Sequence, residues 1–140
     1  TDKGYYDNSF HVSSRINMSP FEKLKLEALG HKYSAGGHIS YIETDSLTKN
    51  LEAIPDILRY AKMVGIHYMG INQPVDKCHI CGYKGEFTAT KEGFTCPQCG
   101  NHDSNEMSVI RRVCGYLSQP NARPFNKGKQ EEIMHRVKHS

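Results

Sequence analysis

The sequence predicts an α/β fold followed by a separate cysteine-rich segment. Before residue 75, two stretches with helical spacing of apolar residues alternate with two short extended stretches, the pattern of a strand–helix–strand unit. After this point the composition changes to cysteine, glycine and turn residues. We therefore divide the chain into an α/β segment (1–75), a cysteine-rich segment (76–104) and a C-terminal segment (105–140).

The first helix is predicted within the stretch MSPFEKLKLEALG. Ser19 is a suitable N-cap, Pro20 fits the first helical position, and Glu22 completes a capping box. Gly30 is predicted to end the helix in the left-handed conformation. The predicted apolar face consists of Phe21, Leu24 and Ala28.

A strand, a second helix and another strand are predicted next. GGHISYIE forms the first strand, with Ser40 and Ile42 on one face, and IHYMGIN forms the second. Between them, residues 47–64 have helical periodicity, which Gly65 is placed to end. Pro55 is expected to kink or split this helix. Its predicted apolar stripe consists of Leu51, Ile54, Leu58, Ala61 and Met63 or Val64.

Four cysteines have the spacing of a metal-binding zinc ribbon. Cys78 and Cys81 form one C-x2-C pair and Cys96 and Cys99 form another, separated by 14 residues. Two intervening residues let both sulfurs of a pair reach one ion, and a glycine directly follows each pair. The residues between the pairs predict a hairpin, with Phe87 and Phe94 packed beneath the site. Four thiolates close the shell of a tetrahedral Zn²⁺, so the predicted site is structural.

Iron binding, two disulfides and four free thiols are the alternatives to zinc at these cysteines. Iron also binds four sulfurs, and geometry alone does not separate it from zinc. Two disulfides or four free thiols are the non-metal alternatives, which the spacing disfavours. His79 and His102 lie close in sequence but are surplus to a four-cysteine shell, so we expect them to face solvent.

The stretch RRVCGYL (111–117) places a glycine beside a fifth cysteine. MSVIRRVC predicts an extended segment before it, with a helix as the alternative, and the tail KGKQEEIMHRVKHS predicts a short helix. A purely structural interpretation makes Gly115 a turn glycine and Cys114 a small buried hydrophobe. Residue composition alone favours this structural interpretation over a chemical role.

These segments together resemble a known family. The ribbon, RRVCGYL and ARPFNKGKQEEIMHRVKH resemble the C-terminal end of the anaerobic (class III) ribonucleoside-triphosphate reductases. YYDNSFHV, SPFEKLKLEA and KYSAGGHISYIE also resemble that region, so the resemblance extends along essentially the whole chain. More broadly, RVCGY resembles the glycyl-radical signature that the reductases share with pyruvate formate-lyase.

The resemblance implies a radical enzyme that reduces ribonucleoside triphosphates to deoxyribonucleoside triphosphates for DNA synthesis. Gly115 would carry a backbone radical, installed by an activase that uses a 4Fe–4S cluster and S-adenosylmethionine. A cysteine thiyl would then act on the substrate. Cys114 adjoins the radical glycine and is not assigned that role, so the thiyl cysteine is expected on further polypeptide. The α/β segment would be the closing part of a β/α barrel, and the complete enzyme a homodimer.

Charge, hydropathy and cysteine content restrict the possible cellular location and binding partners of the protein. The net charge of +3, from 18 Lys and Arg against 15 Asp and Glu, does not favour a nucleic-acid partner. No apolar run approaches a membrane span, and the start TDKGYYDNSF lacks the features of a signal peptide. Five cysteines, an odd number, favour a reducing cytoplasm.

Two expectations remain, one about the origin of the chain and one about an alternative function. Because the sequence starts at Thr1, we expect a processed chain, a split protein or a piece excised from a longer one. The alternative function is a zinc-ribbon module that binds protein or nucleic acid without catalysis. Gly115 would then be an ordinary structural glycine.

Overall fold

The computed structural model contains two compact units. The α/β unit comprises Asp7–Gln73 with Val137–Ser140, and the ribbon unit comprises Thr1–Tyr6 with Pro74–Arg136. The three-part division of the sequence stays a prediction. The structure describes residues 4–7, 11–35, 37–45, 47, 50–113, 116–118 and 125–139.

The α/β unit is built on a parallel strand pair joined by a helix. Its elements are α1 (Pro20–His31), β1 (Ser40–Glu43), α2 (Ala53–Val64) and β2 (Met69–Asn72). The register runs from Ser40 opposite Met69 to Glu43 opposite Asn72, so β1, α2 and β2 form the predicted strand–helix–strand unit. The buried apolar core of this unit consists of Leu24, Ile42, Ile57 and Ala61.

Helix α1 begins as predicted and ends differently. The Ser19 hydroxyl accepts the backbone N–H of Glu22 (3.2 Å), and the Glu22 carboxylate accepts the backbone N–H of Ser19 (2.9 Å). This reciprocal capping box starts the helix at Pro20. The prediction for Gly30 is wrong, because α1 continues to His31 and its C-cap, Lys32, keeps right-handed helical angles.

Removal of the N-cap hydroxyl should weaken the start of α1. We expect Ser19→Ala to destabilise the helix by about 1 kcal/mol, because one backbone N–H of the first turn loses its acceptor. Hydrogen exchange of the first-turn amides in the full-length protein measures this effect. Lys25→Ala, an exposed change in the same helix, is the control. Equal protection in wild type and Ser19→Ala would contradict the capping role.

Helix α2 is shorter than predicted and buries only part of the predicted face. It begins at Ala53, so Pro55 lies in the first turn, where its missing N–H costs no intrahelical bond. Pro55 therefore does not split the helix. Gly65 ends α2 with a left-handed φ of 89°, as predicted. Ala61 and Val64 of the predicted stripe lie in or against the core, whereas Leu51, Leu58 and Met63 are exposed. The other buried residue of the helix, Ile57, was not predicted.

In its described residues, the ribbon unit consists of short antiparallel strands, one α-helix and a 3-10 helix (Ser104–Glu106). Its elements are β3 (Asp76–Cys78), β4 (Lys84–Gly85), β5 (Thr88–Thr90), β6 (Gly93–Thr95), β7 (Met107–Ser108), β8 (Arg111–Val113), β9 (Tyr116–Ser118) and α3 (Lys127–His135). Strand β3 lies between β4 and β7, while β5 pairs with β6 and β8 pairs with β9. The extended segment and the short tail helix predicted after the ribbon are therefore present.

The last described residues belong to the α/β unit. Val137 donates its N–H to the Ser14 carbonyl (2.8 Å), and His139 donates its N–H to the Glu43 carbonyl (2.8 Å). The Glu43 N–H in turn donates to Nδ1 of His139 (2.9 Å). The end of the chain thus pairs beside β1. Across the described ranges, no helix combines the length and the hydropathy that crossing a membrane requires.

Candidate functional site

The ribbon unit brings the four predicted cysteines together. Their sulfurs all lie within 4.8 Å of one another. Sγ of Cys78 and Sγ of Cys99 are 3.7 Å apart, and the sulfurs of Cys81 and Cys96 are also 3.7 Å apart. All four cysteines are free, and these separations far exceed a disulfide bond of about 2.05 Å. The cluster could hold a metal ion.

The sulfur positions fit a tetrahedral metal shell. Sulfurs at about 2.3 Å from a central Zn²⁺ lie about 3.8 Å from one another in a regular tetrahedron. The observed 3.7 Å separations agree with this value. His79 and His102 are exposed, as expected from a complete four-cysteine shell. The donor set is therefore suited to a thiophilic ion such as zinc.

A glycine turn shapes each cysteine pair. Gly82 donates its N–H to the Cys78 carbonyl (3.1 Å), and Gly100 donates its N–H to the Cys96 carbonyl (2.9 Å). Both glycines have left-handed φ values, 76° at Gly82 and 72° at Gly100, which residues with a Cβ rarely adopt. These turns point both sulfurs of a pair toward one position.

Hydrogen bonds, burial and neighbouring sulfurs shift the pKa values of Cys78 and Cys81 in opposite directions. Backbone N–H groups of Cys81 and Ile80, with the Asn101 amide, lower the pKa of Cys78 to about 6. At Cys81 the Tyr83 N–H lowers the pKa, but burial and the neighbouring sulfurs outweigh it and raise the pKa to about 12. The Cys78 thiolate therefore forms readily, whereas the raised pKa values of Cys81 and Cys99 disfavour their ionisation unless a cation lies beside them.

The cluster rests on its own small core. Phe87 is 2% exposed and packs with the buried Cys78 and Cys96, and Phe94 packs against the same group. Both phenylalanines thus occupy the positions that the sequence predicted. Met107 and Val109, which follow the second cysteine pair, complete this core.

The predicted radical residue stands between two described strands. Val113 of β8 pairs with Tyr116 of β9, and the backbone carbonyl of Arg112 accepts a hydrogen bond from Arg136 (2.8 Å). Cys114 and Gly115 connect these strands in the sequence and lie outside the described residues. The structure therefore describes the flanking strands of this segment.

Sequence reasoning missed a buried polar cluster in the α/β unit. Ligand-type atoms of His11, Glu27 and His38 lie within 4.8 Å of one another. Glu27 also forms a buried ion pair with Lys23 of the preceding turn and accepts the Val12 N–H (3.0 Å). Because Lys23 already neutralises the carboxylate, we assign this cluster to the stability of the unit. The spacing of Lys23, Glu27 and His31, four residues apart on α1, was the available sequence signal.

Opposing effects set the pKa of Glu27. Burial alone would raise this pKa, but the hydrogen bond from His11 and the charge and hydrogen bond of Lys23 lower it to about 2. The two neighbouring histidines, His31 and His38, have lowered pKa values, chiefly because of burial and then because of adjacent imidazoles. The neutral imidazole is thus favoured at both.

The α/β unit should lose stability in acid through Glu27. Because its folded pKa of about 2 lies below its ordinary value of 4.5, its contribution is present above about pH 5. That contribution, on the order of 3 kcal/mol, is lost as the pH falls toward 2. Hydrogen exchange of the α1 amides in full-length wild type and Glu27→Gln, corrected for intrinsic exchange, measures this loss. We expect the wild type to be better protected above about pH 5 and the two proteins to become equal in acid. A difference independent of pH would contradict this account.

Comparisons with known proteins found a family model and several similar proteins. The family model described as anaerobic ribonucleoside-triphosphate reductase matches residues 1–139. The anaerobic ribonucleoside-triphosphate reductase of Escherichia coli is 50% identical over 139 residues, covering 99% of this chain and 19% of the relative. The reductase of the same name from Enterobacteria phage T4 is 52% identical, covering 99% and 23%. The chain thus spans about a fifth of the length of the curated relatives it matches.

Proposed function

Since the chain belongs to the anaerobic ribonucleoside-triphosphate reductase family, we propose that it is the radical-bearing C-terminal segment of such an enzyme. The complete enzyme would reduce ribonucleoside triphosphates to deoxyribonucleoside triphosphates. The observation that carries this proposal is the family match over residues 1–139, which includes the four-cysteine cluster and the RRVCGYL segment.

Gly115 is the proposed radical residue. An activase with a 4Fe–4S cluster and S-adenosylmethionine would remove one hydrogen atom from its α-carbon, which leaves the unpaired electron and one α-hydrogen there. A planar α-carbon delocalises the electron over the flanking amide groups, and a side chain would hinder that planarity. Glycine has no side chain, so it meets this requirement.

The four cysteines are the proposed ligands of a structural Zn²⁺. Cys78, Cys81, Cys96 and Cys99 would hold the ion, which when bound supplies a closed, redox-inactive cross-link. The sulfur separations support this assignment. The ion would join the two glycine turns and thereby fix the strands that carry them.

The α/β unit is the proposed closing part of a β/α barrel. A parallel pair with a helical crossover occurs almost always within a larger sheet, because both of its faces must be covered. Here β1 and β2 form a sheet of two strands among the described residues, and Leu51, Leu58 and Met63 on or near α2 are exposed. The remaining four fifths of a reductase would supply the missing strands and cover these side chains.

The partners follow from what this segment lacks. The thiyl cysteine and the nucleoside triphosphate site are proposed to lie on the remaining reductase polypeptide, and the activase binds separately. We propose a homodimer for the complete enzyme. A cytoplasmic location is proposed because the four clustered cysteines form no disulfides, which is typical of a reducing compartment.

Electron paramagnetic resonance tests the proposal. The full-length reductase containing this segment, mixed anaerobically with its activase, S-adenosylmethionine and a reductant, should give a doublet from one remaining α-hydrogen. A signal-free sample, prepared with an activase that activates another reductase, would contradict the proposal. That result would favour a zinc-ribbon binding module.

A further inference from the structure

Asp76 is a fully buried carboxylate at the start of β3. Its Oδ2 accepts the backbone N–H of Phe87 (2.8 Å), and its Oδ1 accepts the backbone N–H of Ile110 (3.2 Å). Oδ1 also forms an ion pair with the guanidinium of Arg111. One side chain therefore ties β3 to the residue before β5, to the residue before β8 and to the first residue of β8.

Arg111 is the first residue of β8, and its guanidinium contacts the ribbon in three ways. Nη1 pairs with Asp76, Nη2 donates to the Phe87 carbonyl (3.3 Å), and the guanidinium lies over the Phe94 ring, 5.0 Å from its centroid. Its side chain is 12% exposed. Because Phe87 and Phe94 pack with Cys78 and Cys96, Arg111 contacts side chains that support the cysteine cluster.

Strands β8 and β9 directly flank the Cys114–Gly115 dipeptide in the sequence, so their position restricts where Gly115 can lie. Strand β8 ends at Val113, two residues before Gly115, and pairs with β9, which begins at Tyr116. Arg111 lies opposite Ser118 in this pair. A contact that fixes Arg111 therefore restricts the position of β8 and, through its pairing with β9, of both strands that flank Gly115.

We propose that Asp76 and Arg111 are a positioning pair that holds the Gly115 segment in register with the four-cysteine cluster. The inference rests on the proposed function, since it takes Gly115 as the radical residue. A buried ion pair is weak support for stability, because desolvation can outweigh its attraction. An arginine fork instead supplies directional contacts, and a misplacement of about 1 Å can cost about a hundredfold when reacting atoms must align.

The test compares radical yield with zinc content in the full-length reductase. Wild type, Arg111→Met, Arg111→Lys and Asp76→Asn are activated anaerobically, and spins and zinc per chain are counted. We expect Arg111→Met and Asp76→Asn to lose about tenfold or more in radical yield while zinc stays at the wild-type level. Arg111→Lys keeps the charge without the fork and should give an intermediate yield. Asp56→Asn, which breaks an exposed pair with Arg59 (2.7 Å), is the matched control and should match wild type.

Each other outcome overturns the inference. A wild-type radical yield in Arg111→Met with normal zinc would remove the positioning role. Radical loss in proportion to zinc loss would make the pair a structural part of the ribbon alone. If Arg111→Met does not fold, a wild-type yield in Arg111→Lys is the contradicting result. Absence of radical from wild type itself would overturn the proposed function, which separates that failure from the failure of this inference.

Discussion

Replacement of Gly115 by alanine should reduce the formation of deoxyribonucleotides by the full-length reductase to the background of an unactivated sample. The added methyl group hinders the planar α-carbon and blocks one face from hydrogen abstraction. Without a stored radical no thiyl forms, so the expected loss is complete and not partial. Anaerobic turnover of a ribonucleoside triphosphate measures it.

Gly37→Ala is the matched control for this change. A Cβ at Gly37 would meet no atom within 4 Å among the described residues, and its φ lies outside the left-handed region. This variant should therefore retain turnover. Measurable turnover by Gly115→Ala, above the unactivated background, would contradict the assignment of the radical to Gly115.

Loss of one cysteine ligand should unfold the ribbon. We expect Cys96→Ser to lower the zinc content of the full-length reductase from about one ion per chain toward zero, because structural sites need all four ligands. Apparent binding free energies of structural Zn²⁺ are about 10–16 kcal/mol and are coupled to folding. Protection of the β3, β5 and β6 amides from hydrogen exchange should fall accordingly, and elemental analysis reports the metal.

His79→Gln tests whether the imidazole of His79 takes part in binding the metal ion together with the cysteine thiolates. His79 adjoins Cys78 in sequence and is exposed, so its replacement should leave zinc content and amide protection unchanged. Zinc loss in His79→Gln would show that the ion is bound differently. Full zinc occupancy in Cys96→Ser would contradict the four-cysteine site.

Features formed by residues close together in the sequence were predicted best. The capping box of Ser19 and Glu22 and the glycine turns after the cysteine pairs require residues adjacent along the chain, and the structure contains all of them. The spacing of the cysteines likewise led to a cluster with the sulfur separations of a metal site. Such features depend on few contacts with distant segments.

Tertiary contacts were less predictable. Helix α2 has apolar residues on more than one face, and periodicity did not indicate that Ile57 would be buried while Leu58 is exposed. The burial of Lys23 and Glu27 depends on residues contributed by other segments, such as His11. The pairing of Asp76 with Arg111 spans 35 residues and has no local signature.

The mass of the fragment released by oxygen tests the central claim most directly. The activated full-length reductase, shown to contain the radical, is exposed to air, and its products are measured by intact mass spectrometry. Oxygen attacks a glycyl radical and cuts the chain there, so we predict a C-terminal fragment whose first intact residue is Tyr116. An uncut chain, or a cut at another residue, would contradict the account.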